Sequence, residues 1–285
     1  MFKKLNISND DSDQSVISFI ANDIVDGQQD LDEKRMPDLI PIMPLRNTIV
    51  FPGSSLPISV GRDKSLKLVK ALGKTPKYIG LVCQKDTSVE EPTSKDLYNI
   101  GVIAEVIRVI ELADNNFSLI VQAKKRFEWI EMQQSEPYFK ATYKTLETTK
   151  VPKNDKEHKA ILASIRDAVI QMLHLLGEPP KELLRTINDE AFENMLISYC
   201  GTNLPIESRE KQELLSINDE KEQAYRMLMI LNRENQVLEL KMNIQLKTRE
   251  DLNQQQKEYY LQQQIRTIQE ELGGNTQQIE INTFR

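Results

Sequence analysis

The chain has 285 residues, 39% of them hydrophobic and 28% charged, with a formal net charge of −6. That is enough apolar material for one or two cores, and the acidic balance argues against a dedicated nucleic-acid binder, which is usually basic. No apolar run approaches the roughly 20 residues that a bilayer-spanning helix needs, and no signal-peptide core follows Lys3 and Lys4; no membrane is implied, and the expected compartment is the cytoplasm.

Residues 1–36 carry acids through a weakly hydrophobic background and read as a disordered acidic arm. From 37 to 149 the texture is that of a compact, mostly antiparallel β lobe. Leu39 to Leu45 reads as an edge strand, because its prolines remove ladder donors. Arg46-Asn47 turns the chain, Thr48 to Phe51 is a short β-rich run, and Pro52-Gly53 turns it again. Leu56 to Val60 is the next strand. Asp63 is placed to cap a helix that Gly73 stops. Tyr78 to Gln84 reads as a buried strand, and Ile100 to Leu112 pairs with Phe117 to Val121 through a turn at Asp114-Asn115-Asn116. Tyr138 to Tyr143 closes the lobe.

Residues 150–204 read as a helical bundle. Lys156 to Leu176 places Ile161, Ile165, Ala168, Val169, Met172 and Leu176 on one face before Gly177. Pro179-Pro180 starts a second helix, and Asp189 to Cys200 a third. None can bury its apolar stripe alone. Between Pro205 and Gly273 there is no Gly or Pro, so 205–272 reads as one long connector helix that completes the bundle, with Gly273-Gly274 as its stop and 273–285 as a linker tail. Its apolar seam is leaky: Leu231, Leu238, Leu252 and Tyr259 fall on one heptad row that Gln245 interrupts. The fold class expected is α+β: a β lobe, a small helical bundle and one very long helix.

Cys83 and Cys200 form no CxxC pair and read as buried thiols, and His158 and His174 are too far apart to share a metal. No P-loop and no Gly-x-Ser-x-Gly elbow occurs. No catalytic, cofactor or metal site is therefore expected within these residues.

Several segments together resemble the amino-terminal region of the Lon family of ATP-dependent proteases. They are Pro44-Leu45-Arg46-Asn47 with Val50-Phe51-Pro52-Gly53, Gly61-Arg62-Asp63-Lys64-Ser65, Asn99 to Val106, and Gln256 to Gly273 with its Lys257-Glu258-Tyr259-Tyr260-Leu261 core. Two positions depart from the family pattern, the Asp-Asn-Asn turn where Asp-Gly is common and Ala123 where Gly is usual. The resemblance implies a non-catalytic substrate-recognition and assembly region that captures unfolded or tagged proteins for a hexameric ATPase and protease ring. It also implies that the P-loop, the Ser–Lys dyad, and the need for ATP and Mg belong to a downstream module.

Capture of unfolded chains needs exposed apolar surface, and the candidate residues are Pro44, Phe51, Pro52 and Leu56, which could equally be ordinary core and turn residues. Arg62, Asp63 and Lys64 form a second candidate surface, and Tyr259, Tyr260, Leu261 and Ile265 are candidates for packing on a neighbouring subunit or the ATPase module. Two other readings are a coiled-coil scaffold built on the long helix and, with less support, a nucleic-acid module using Lys124, Lys125 and Arg126.

Overall fold

The computed structural model describes residues 36–73, 78–112, 116–152 and 154–271, and the backbone of 272–283. The expected acidic arm and the tip of the hairpin at Asp114-Asn115 lie outside the described residues.

Six strands form one sheet: β1 (Ile40–Leu45), β2 (Ser55–Val60), β3 (Tyr78–Cys83), β4 (Ile100–Glu111), β5 (Phe117–Gln134) and β6 (Phe139–Thr145). Their order is β2-β5-β4-β3-β1-β6, and a further β5–β6 pairing curls the sheet back on itself. Only β1 and β3 are parallel. Strand β5 does the curling. Its first half pairs with β2 and β4, its second half with β6, and register shifts at Trp129/Glu131 and Met132/Gln134 bend it between partners. Sequence reading ended this strand at Val121; the structure carries it 18 residues, through the basic trio. Both faces are covered. Met43 and Leu45 enter the main core, while Ile40, Ile42, Ile103, Phe127 and Phe139 fill a second cluster on the opposite face. Gly101 admits this arrangement: a Cβ there would strike Leu81 O and the Phe127 ring.

Helix α1 (Asp63–Leu72) ends at Gly73, as read, with φ 65°. Its N-cap is Arg62, with no side-chain cap bond; Asp63 stands in the first turn and pairs with Lys67 at 2.6 Å instead of capping. Thr48 to Phe51 forms no strand, and Ile49, Val50 and Phe51 are buried loop residues.

The helices are α2 (Lys156–Leu176), α3 (Lys181–Asn188), α4 (Leu196–Asn203), α5 (Ser208–Ser216) and α6 (Glu220–Thr283). Asp155 caps α2 by accepting from His158 N at 2.9 Å. On α2 it is Leu162, not Leu176, that is buried with Ile165, Ala168, Val169 and Met172; Leu176 is exposed. The third expected helix begins as a 3₁₀ turn (Glu190–Met195) and only becomes α-helical at Leu196. One continuous core runs from β1 through α2 and α4 to Met227, Ile230 and Leu231 on α6, so lobe and bundle share a single apolar interior.

The connector is not one helix from 205. The chain breaks at Ile217–Asp219 although no Gly or Pro is present. Arg126 donates from Nη1 to Leu215 O (2.8 Å) and Ile217 O (2.6 Å), holding the end of α5. Thr149 N donates to Asn218 O (2.8 Å) and Glu220 N to Thr149 O (3.2 Å), which pulls the turn into a bridge with the lobe. Asp219 then caps α6 through Glu222 N at 2.8 Å. The helix also continues past the expected stop at Gly273-Gly274 to Thr283; a helical Gly costs only about 1 kcal/mol relative to Ala, which strong helix formers on either side offset.

Candidate functional site

A cleft of about 350 Å³ is lined by β1, β2 and the start of α1. Topology makes it. Strand β6 pairs with β1 only over Ile40–Ile42, and β2 pairs only with β5, so the second half of β1 and the outer edge of β2 border the cleft without a strand between them. Gln84 N donates to Leu45 O (3.0 Å), which turns Leu45 towards β3 and Pro44 towards the open side. Ala123 N donates to Ser54 O (2.9 Å), so Leu56, Ile58 and Val60 bond β5 and Pro57 faces the open edge. Each edge thus carries a proline at an outward position, where the missing N–H discourages addition of a further strand.

Of the predicted surface residues, Pro44 and Leu56 line this cleft and are half-buried. Pro52 is half-buried in the turn below. Phe51 is different. It is 1% exposed, its ring lies against Gly201 on α4, and its N–H donates to Thr202 Oγ1 at 3.2 Å. Phe51 therefore joins lobe to bundle and presents no surface to a substrate, the core alternative that its apolar character left open.

The Arg62, Asp63 and Lys64 trio does not form one surface. Arg62 lines the cleft, Asp63 turns to Lys67, and Lys64 reaches Glu136 (2.9 Å) and the Phe139 ring (4.9 Å). Sequence reading missed Arg46 in the cleft and Gln84, which supports Arg62 from outside the lining. Arg46 is fixed by Nε to Thr87 O at 2.6 Å. Gln84, 2% exposed, accepts from Arg62 Nη1 at 2.8 Å and donates to Asp86 O and to Val89 O (3.0 Å). Arg46 stood inside a quoted motif; Gln84 carried no signal, because its role depends on which loop folds over it. Burial, and then the Arg46 charge, pull the Arg62 guanidinium below its ordinary pKa, against a smaller opposing effect of Glu90.

The basic run is used internally. Lys124 pairs with Glu105 (3.4 Å), Lys125 with Glu147 (2.6 Å), and Arg126 is 3% exposed. Beyond Leu238, α6 leaves the body, and residues 239–271 are exposed all round, Tyr259, Tyr260, Leu261 and Ile265 included. The two cysteines are buried free thiols, and burial pushes both thiols up. Among the described residues no His, Cys, Asp and Glu cluster could hold a metal, and no helix is long and apolar enough to cross a membrane.

The comparison with known families matches this lobe and bundle. The family model for the ATP-dependent protease La (LON) substrate-binding domain matches residues 39–233, from β1 to the packed first part of α6. The chain belongs to the Lon substrate-binding domain family. It is similar to the Lon protease of Parabacteroides distasonis, 48% identical over 252 residues that cover 88% of this chain and 31% of the relative. It is also similar to the Lon protease of Porphyromonas gingivalis, 42% identical over 288 residues, 99% of this chain and 34% of that one. The chain thus spans about a third of the length of the curated Lon relatives it matches. The N-terminal domain of a Mycobacterium avium complex Lon protease shares the fold, with a TM-score of 0.51 at 19% identity over 68% of this chain and 98% of that one.

Proposed function

We propose that this Lon-type region recognises unfolded or tagged proteins and hands them to an ATPase and protease ring of which it is the non-catalytic part. The observation that carries the reading is the joining of two features in one body. A cleft with apolar walls at Pro44, Leu56 and Pro57 opens on the lobe, and the shared core extends into α6. A substrate held at the cleft is then tied to whatever α6 reaches. ATP, Mg, the P-loop and a Ser–Lys dyad belong, in this reading, to the remainder of a cytoplasmic hexamer. Tyr259, Tyr260, Leu261 and Ile265 are the residues that would pack on a neighbouring subunit or the ATPase module: these side chains stand exposed, and helices in proteins draw most of their stability from tertiary packing.

The test is competition. Added in excess to a full-length Lon protease, this chain should slow degradation of a permanently unfolded reporter by sequestering it, without changing ATP hydrolysis measured before the reporter is added. Unchanged degradation at saturating chain would refute capture by this region.

A further inference from the structure

We propose that the β1–β2 cleft takes the carboxylate of an Asp or Glu side chain on an extended, otherwise apolar substrate segment, with Arg46 as the hydrogen-bonding fork. This rests on the recognition role above and gives it a substrate class.

The guanidinium groups of Arg46 and Arg62 both line the cleft, and the charge of Arg46 opposes that of Arg62 while Glu90 acts more weakly the other way. Neither has a carboxylate within ion-pair distance among the described residues. By contrast, Lys64, Lys125, Lys221 and Arg233 each have a carboxylate within 3 Å. The pair is also held in place. Arg46 is pinned by Nε on Thr87 O, which leaves its Nη1 and Nη2 without a described partner. Arg62 is pinned by Nη1 on Gln84, whose own amide is fixed by two loop carbonyls. Arg62 Nη2 is enclosed and meets no acceptor, so Arg62 contributes charge while Arg46 makes the bonds.

An Arg fork accepts a carboxylate in two parallel hydrogen bonds, and here the anion also relieves the repulsion between two cations. The rest of the cleft selects what carries that anion. Its walls at Pro44, Leu56 and Pro57 suit an apolar neighbour, and its prolines face the open edges, so the segment is read by its side chains rather than added as a complete strand. A chain of net charge −6 whose cleft is lined by two arginines disfavours a polyanion such as a nucleic acid.

The probes are short fluorescent peptides of one leucine-rich sequence, acetylated and amidated, carrying Glu, Gln or Lys at a central position. A permanently unfolded protein serves as reference. The Glu peptide should bind about five-fold more tightly than the Gln peptide at low salt. Arg46→Gln should erase that difference while the unfolded protein still binds, and Arg46→Glu should shift preference to the Lys peptide. Thermal unfolding of each variant checks that the fold is kept; Arg46 is exposed, so little change is expected. Equal binding of Glu and Gln peptides with the reference still bound overturns the inference and leaves the recognition role standing. So does a preference that survives Arg46→Gln. A Gln peptide with a free C-terminal acid that matches the Glu peptide would assign the cleft to chain ends and overturn the side-chain assignment. Failure of wild type to bind peptides and reference alike removes both readings.

Discussion

The ring of Phe51, in the loop before β2, lies where a side chain on Gly201 of α4 would have to be: a Cβ there would come within 2.6 Å of three ring atoms. This contact, with the Phe51 N–H and Ser54 Oγ both at Thr202 Oγ1 (3.2 and 2.9 Å), is one of the points at which lobe and bundle become a single body. Gly201→Ala should be destabilising by about 1–2 kcal/mol, because overpacking costs more than the helix gains from Ala. Denaturant unfolding checks this, and Phe51→Leu in the same chain should recover part of the loss. Additive destabilisation would mean that the two residues do not share the space.

Arg126 should matter more. It donates to the carbonyls of Leu215, Ile217 and Glu147 and to Thr148 Oγ1 from inside the protein. Arg126→Met leaves those acceptors without their donor at a cost of about 3 kcal/mol. It should also raise amide exchange at the α5–α6 break, since the bonds that end α5 are gone.

These two residues show where the sequence was readable and where it was not. Gly73 and Gly177 were legible as helix ends because a left-handed or otherwise open C-cap is written into the residue itself. The break at Ile217–Asp219 was not, because the groups that make it, Arg126 and Thr149, lie far away in the chain. For the same reason the sequence did not show that Arg126 is internal, and Phe51 read as surface or core with equal ease. In the cleft, Pro44 and Arg62 were anticipated from their motifs and Leu56 from its apolar character beside a turn, whereas Arg46, and Gln84 behind Arg62, gained a role only once β1, β2 and the loop at 85–89 came together.

Asn235 presents the opposite case from Arg126. It is 3% exposed on the α2–α6 seam, donates to Ala168 O at 2.9 Å, and leaves its own Oδ1 without a partner. Asn235→Leu should be neutral or stabilising by up to about 1 kcal/mol, because it removes an unsatisfied buried acceptor. Thermal melting checks the sign; a loss above about 2 kcal/mol would show that the amide is needed to hold the register of the seam.

Glu210 sets part of the acid limb. The hydrogen bonds from Arg233 (2.7 and 2.5 Å) hold its carboxyl below the ordinary carboxylate range, against an opposing desolvation. A depressed folded-state pKa gives stability that is present above the unfolded value of about 4.3 and lost as pH falls towards the folded one. Stability measured from about pH 5 downward should therefore fall less steeply in Glu210→Gln than in wild type. Identical acid limbs would place the sensitivity in other carboxylates, Asp155 with Lys221 foremost.

Residues 239–271 of α6 are exposed helix on the order of 50 Å long. At low concentration trypsin should cut first at Lys241, Lys247, Arg249 and Lys257, leaving the body intact. Protection that grows with protein concentration would show that the chain covers this helix with copies of itself.

The most direct measurement is fluorescence anisotropy of one labelled protein, kept either folded or permanently unfolded, titrated with this chain at low and high salt. Recognition through an apolar-walled cleft requires binding of the unfolded form alone, persisting when salt is raised. Equal binding of both forms, or binding of neither, would contradict the recognition role and leave the lobe as a spacer and assembly element.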